Sequence, residues 1–175
     1  MRNIVLQQIK SYLKFLWNAK NEHGVHSPFV YDLVTKCFYA TNFPKQNSID
    51  ATNNKLLLKT IAYLNLKDVI RFDTQENLHS TINGLLLSSN AQQNFSIDKA
   101  LPFCNNDSCF FVEHIHKTKE NELIWKQLYQ HEAVTCSIET YNLGLLFIRK
   151  EQQKEHFIIN PNKSFSSLLF ERIRF

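Results

Sequence analysis

The chain has 175 residues, 43% of them hydrophobic and 21% charged, with 20 basic against 16 acidic side chains for a net charge of +4. That length suits one domain able to bury most of what its unfolded form exposes. The mild charge, with no Lys/Arg run beyond two residues, excludes a nucleic-acid footprint, and no apolar run reaches the roughly 18 residues of a membrane span.

Only 3 glycines occur, Gly24, Gly84 and Gly144, against an average near 7%, which argues against a glycine-rich catalytic loop. The cysteines Cys37, Cys104, Cys109 and Cys136 form no CxxC pair, and no signal-peptide pattern opens the chain. Free thiols in a reducing cytoplasm are therefore expected. Fourteen Phe and six Tyr suggest an aromatic core or interface.

In chain order, residues 2–20 predict an amphipathic helix with Val5, Ile9, Tyr12, Leu13 and Leu16 on one stripe, widened by Phe15 and Trp17. Core packing is the expectation for that stripe; docking on a partner or a membrane surface is the alternative. Gly24 breaks the helix. Ser27 as N-cap with Pro28 at the first helical position starts a second helix, carrying Phe29, Val30, Leu33, Val34, Cys37 and Phe38 inward. His23 and His26 suggest a metal pair, yet with only Glu22 beside them they fit a turn better, since zinc needs three or four ligands. Residues 40–54 read as a polar linker.

Residues 55–87 predict helix, strand, loop, helix. Leu57, Leu58, Ile61, Ala62 and Leu64 give the first helix, Val69 to Phe72 the strand, and Leu78, Ile82, Leu85 and Leu86 the second helix. That succession opens nucleotide-binding α/β domains, in which the loop cradles a ligand at the helix N-terminus. The loop here, 73–80, has no glycine, and Asp73 and Glu76 suit the helix dipole while repelling a phosphate. A capping loop is the better reading.

Further on, Cys109 to Val112 predicts a buried strand with Glu113, His114 and His116 at its carboxyl end, where open α/β sheets place their chemistry. In an extended segment His114 and His116 share a face, and with Glu113 they could hold a divalent metal or exchange protons near neutral pH. The plainer alternative is a polar strand end, with Thr118 capping a helix over 119–130. Val134, Cys136 and Ile138, then Leu143 to Ile148, predict an antiparallel hairpin, with Gly144 marking a bulge or close packing. In the tail, 160–175, a turn at Pro161 precedes a short apolar segment bearing Leu168, Leu169 and Ile173, suited to covering a sheet edge or docking on another subunit.

Two blocks carry a resemblance. NEHGVHSPFVYDLVTKCFY, 21–39, and HIHKTKENELIWKQLYQHEAVTCSIETYNLGLLFIRKEQQKEHFII, 114–159, resemble the N-terminal signature and the closing helix and strands of a family of bacterial class I S-adenosylmethionine (SAM)-dependent methyltransferases, O-methyltransferase-like in type. The resemblance implies a reduced Rossmann-like α/β sheet of class I methyltransferase type, with a two-helix extension at the N-terminus and an antiparallel hairpin at the C-terminus. Residues 1–175 then form one domain: helical extension 1–39, linker 40–54, core 55–159 and extension 160–175.

The middle departs from that family. Where it carries an ELGTxxGxxT-type loop, Asp73, Thr74 and Thr81 mark degenerate cofactor-binding positions: the threonines remain, while both glycines and the leading acid are lost. The family's DDIHWS-like motif falls on Glu113 to His116, which makes Glu113, His114 and His116 the catalytic candidates. The stretch between Leu87 and Phe110 is too short for two crossovers. The resemblance therefore implies a methyltransferase-like protein without catalysis or cofactor, binding a protein partner or another copy of itself, with no nucleic acid, membrane or metal partner. The alternative is an active methyltransferase with a rebuilt SAM site.

Overall fold

A computed structural model describes residues 2–41, 54–72, 78 and 80–162. The expectations placed on Asp73, Thr74 and Glu76, on most of the linker and on 163–175 fall outside the described residues. The fold is α/β, with N-terminal helices and a six-stranded mixed sheet in the order β1-β2-β3-β5-β4-β6. Its strands are β1 Val69–Phe72, β2 Ile82–Leu87, β3 Cys104–Glu113, β4 Cys136–Glu139, β5 Leu143–Phe147 and β6 Glu155–Ile158. Strand β5 runs antiparallel to both β3 and β4, and the other pairings are parallel. The β4–β5 hairpin stands where the alternation over 134–148 placed it.

Alternation along the central strands sends successive side chains to opposite faces. Leu86, Cys109, Phe111, Leu145 and Phe147 join one core with Val30, Leu33, Val34, Cys37 and Phe38 of the second helix and with Leu57 and Ile61. Leu85, Leu87, Phe110, Val112 and Leu146 join the other, with Phe95, Ile97, Trp125 and Leu128. Helices therefore cover both faces, as a largely parallel sheet requires. The first layer holds α2, Pro28–Asp32, which continues through wider turns to Phe38, and α3, Lys55–Tyr63. Ser27 Oγ accepts from the Val30 N–H with Pro28 at the first position, as its sequence predicts. Helix α3 ends where Asn65 takes a left-handed φ of 53° and the Leu66 N–H reaches the Ile61 carbonyl, a Schellman stop. The second layer holds α4, Ile97–Ala100, and α5, Lys119–Gln130, whose cap is Thr118.

Two expectations are corrected. Residues 82–87 form strand β2, not a helix. Leu85, Leu86 and Leu87 are all buried, on both sides of the sheet, and a helix at the surface of an α/β core would bury only one stripe. The capping role expected of Asp73 and Glu76 lies outside the described residues. Helix α1, Arg2–Asn18, forms but turns its stripe outward: Ile9, Tyr12 and Leu13 are exposed, Leu16 is half-buried, and Phe15 is the side chain that packs. It also stops at Asn18, before Gly24.

A line of paired residues, Phe72, Leu87, Val112, Gly144, Glu139 and Ile158, crosses the sheet near its carboxyl edge. Polar groups just past that line share one rim. Because both faces of β2 are buried, Leu85→Ala and Leu86→Ala should each cost about 2–5 kcal/mol in urea unfolding; a helix at 82–87 would spare one of them.

Candidate functional site

Among the described residues, two clefts of the carboxyl edge hold the candidate residues. One, of about 690 Å³, lies against the ends of β1, β3 and β5 and is lined by Arg71, Glu113, His114, Lys55, Thr140 and Leu143 among others. The other, of about 480 Å³, lies between α1, α5 and the β4–β6 edge, with His116, Glu122, Trp125, Glu139 and His156 in its walls and Lys10, Lys14, Lys119 and Lys126 around them. Turn 114–116 divides the predicted trio between them. His114, exposed with a left-handed φ of 56° and its N–H on the Asn142 carbonyl at 2.6 Å, stays with Glu113, whereas His116 points into the second cleft. His114 and His116 share only a shallow groove of about 440 Å³ along α1. Thr81 is exposed just ahead of β2, at the opposite edge of the sheet from Glu113.

The second cleft is organised by Glu139, whose side chain is 9% exposed at the end of β4. Its Oε1 bonds His116 Nε2 at 2.9 Å, and its Oε2 accepts from Trp125 Nε1 at 2.8 Å and lies 3.6 Å from His156 Nε2. His116 Nδ1 meets Glu122 Oε1 at 2.9 Å, and the same oxygen accepts from Ser11 Oγ of α1 at 3.0 Å. His156 Nδ1 bonds Ser137 Oγ at 2.8 Å, with its ring stacked on Tyr129 at 4.1 Å. Tyr141, itself at φ 70°, stacks on His116 and donates to the Gln8 carbonyl of α1.

Burial alone would raise the Glu139 pKa. Hydrogen bonds from His116, His156 and Trp125 outweigh it and hold the carboxyl at about 2. Burial likewise opposes the His116 charge, but Glu139 and Glu122 on either side raise its pKa above the ordinary value. His116 is thus clamped between two carboxylates that favour its charged form. Both nitrogens of His116 are engaged by these carboxylates, so the cluster ties the turn after β3 to α5 and to the end of β4.

Sequence reasoning missed Glu139, Glu122, Trp125 and His156 as a group. The available signal was a carboxylate closing an otherwise uncharged strand, Cys136-Ser137-Ile138-Glu139, beside a tryptophan whose N–H needs an acceptor when buried. Gly144 fits its predicted close packing: a Cβ there would meet the Trp125 ring at 2.5–2.9 Å.

Other candidates lack such geometry. His23 and His26 are both exposed, and among the described residues no group of three or more His, Cys, Asp or Glu is arranged to hold a metal ion. All four cysteines are free thiols; burial pushes Cys136 up to about 12 and Cys37 and Cys104 to about 11, far from a reactive thiolate. Among the described residues no helix is long and apolar enough to cross a membrane. Compared with protein-family models, curated proteins and solved structures, the chain matches none.

Two expectations test the cluster. Glu139→Ala should destabilise the fold by about 3 kcal/mol in urea unfolding, since it strips His116 of a buried partner, and Gly144→Ala should displace Trp125 at a cost of about 1–3 kcal/mol. Folding raises the His116 pKa, so its contribution is complete below the ordinary value of 6.5 and is lost as pH climbs through the folded one. Glu139 acts in the opposite sense, contributing above its ordinary 4.5 and losing that contribution as pH falls toward 2. The melting temperature should therefore decline as pH rises above 6.5, and His116→Gln should flatten that decline.

Proposed function

We propose that this protein is a degenerate, non-catalytic relative of the SAM-dependent methyltransferases that works by association with a protein partner or with another copy of itself. The observation that carries the proposal is the outer face of α1, where Leu6, Ile9, Leu13 and Trp17 are exposed by 55%, 50%, 59% and 88%. With Tyr12 they make an apolar patch on the order of 600 Å², at the top of the range for a lone soluble chain and in the range of an interaction site. The helix is held by its other side, through Phe15, Ser11 and Gln8, so the apolar face can be covered without unfolding anything.

The alternative, an active methyltransferase with a rebuilt cofactor site, is favoured by the cleft at the carboxyl ends beside Glu113 and His114. Its described walls suit SAM poorly. Arg71 and Lys55 offer cations for a carboxylate, but no aromatic ring stands ready to stack on adenine and no glycine lets the backbone approach a nucleoside. No methyl-transfer step follows from these residues.

Titration with SAM or S-adenosylhomocysteine should give neither saturable heat nor a rise in melting temperature; micromolar binding, stabilising by mass action, would restore the enzyme reading. In light scattering and pull-down from extract, the wild-type chain should show an oligomer or a retained partner that Leu13→Glu abolishes. A strict monomer that retains nothing would remove the support for association.

A further inference from the structure

Helix α1 is held from one side. Ser11 Oγ donates to Glu122 Oε1 at 3.0 Å, and the Gln8 carbonyl accepts from Tyr141 Oη at 3.1 Å. The chain just beyond the helix is pinned as well. Lys20, two residues past the end of α1, pairs with Ile159 in a parallel bridge; its N–H donates to the Ile158 carbonyl at 2.8 Å, and its carbonyl accepts from the Asn160 N–H at 3.4 Å. The exposed stripe Leu6, Ile9, Leu13 and Trp17 is therefore presented on a fixed element, and a partner meets it without first ordering it. From Leu6 to Trp17 the stripe runs about 16 Å, or about three turns.

One flank of that stripe is basic. Lys10 and Lys14 each follow a stripe residue by one position, so they stand about 100° round the helix from Ile9 and Leu13. There they line the cleft of about 480 Å³ together with Lys119 and Lys126 of α5. All four lysines are exposed, and among the described residues none of them makes an ion pair. The carboxylates of the cleft are already engaged, Glu122 by His116 and Ser11, and Glu139 by His116, Trp125 and His156. Helix α1 itself has no acidic residue from Arg2 to Asn18. Ammonium groups set around a concave surface focus a positive potential that attracts anionic groups.

The occupant has to use both the stripe and the lysines. A small anion would leave the stripe in water, and a flat anionic bilayer would leave the recess between α1 and α5 unfilled. A second copy meeting α1 with its own α1 would bring no carboxylate. A helix of about three turns with an apolar face flanked by carboxylates satisfies both features, in the manner of helices that dock by a stripe of apolar anchors.

We propose that the partner of this protein presents an acidic amphipathic helix, which lays its apolar face on Leu6, Ile9, Leu13 and Trp17 and its Asp and Glu side chains on Lys10, Lys14, Lys119 and Lys126. The proposal rests on the association reading above and selects from it a partner protein over a second copy.

Three helix-stapled peptides of about four turns, sharing one leucine stripe and carrying glutamate, glutamine or lysine at every flanking position, test the charge selection when titrated against the full-length chain by fluorescence anisotropy. The glutamate peptide should bind about tenfold tighter than the glutamine peptide, and the lysine peptide should not bind. That advantage should vanish at about 1 M salt, where the screening length is about 3 Å. Lys10→Glu with Lys14→Glu should exchange the ranking of the glutamate and lysine peptides. Lys119→Glu with Lys126→Glu should remove the glutamate advantage and leave the glutamine peptide unchanged, with an unaltered melting temperature showing that either pair still folds. Equal binding of the glutamate and glutamine peptides, no saturable binding of any of the three, or indifference to the α5 pair would overturn the proposal. Tryptophan emission that shifts with phosphatidylglycerol vesicles but not with the glutamate peptide would overturn it in favour of a membrane. Failure of the association reading looks different: a strict monomer that retains nothing from extract and binds none of the peptides removes both, whereas an oligomer or a retained partner without any preference for the glutamate peptide removes the charge selection alone.

Discussion

The carboxylate of Glu139 is the constraint around which the carboxyl end of this sheet is assembled. It draws His116 from the turn after β3, Trp125 from α5 and His156 from β6 onto the end of β4, and through His116 it reaches Glu122 and then Ser11 of α1. An isolated charge at that depth would be expensive. Shared among His116, Trp125 and His156, donors from three places in the chain, it fixes the turn after β3, α5 and β6 against the end of β4. The ring of Trp125 lies against the backbone of Gly144 for the same reason: the indole must come that close for its N–H to reach Glu139.

Local features of this fold were legible in the sequence, and features set by distant contacts were not. Ser27–Pro28, Thr118 and the bounds of α5 rest on short-range chemistry, caps and a single apolar stripe, so residues a few positions apart decide them. The β4–β5 hairpin follows from alternation alone. Strand β2 was obscured because Leu78, Ile82, Leu85 and Leu86 fit a helical period as well as Leu85-Leu86-Leu87 fits a strand buried on both sides. Its shortness, bounded by Ser88-Ser89-Asn90, was the deciding clue. The stripe on α1 was located correctly, but amphipathicity does not say which way a stripe faces.

The site was legible only in part. Glu113, His114 and His116 do lie at the carboxyl edge, as strand ends in open α/β sheets suggest, but a single left-handed residue, His114, rotates the two histidines into different clefts. Glu139 and Glu122 lie 23 and 6 positions from His116, and nothing in their spacing announces a cluster. Each is an ordinary surface-type residue until the fold brings it against His116. The resemblance rests on blocks at the two ends of the chain, and the sheet between them has strand β2 at Ile82–Leu87 where the apolar period predicts a helix.

The bridge between Lys20 and Ile159 ties an early stretch of the chain to a late one. Across that span the loop-closure entropy must be met before the contact stabilises anything. A ribosome-bound chain can complete α5 and the β4–β5 hairpin as soon as they emerge, but Lys20 has no strand to join until β6 has been synthesised. The edge of β4 therefore stays open until β6 has been made, and β6 is the strand that covers it.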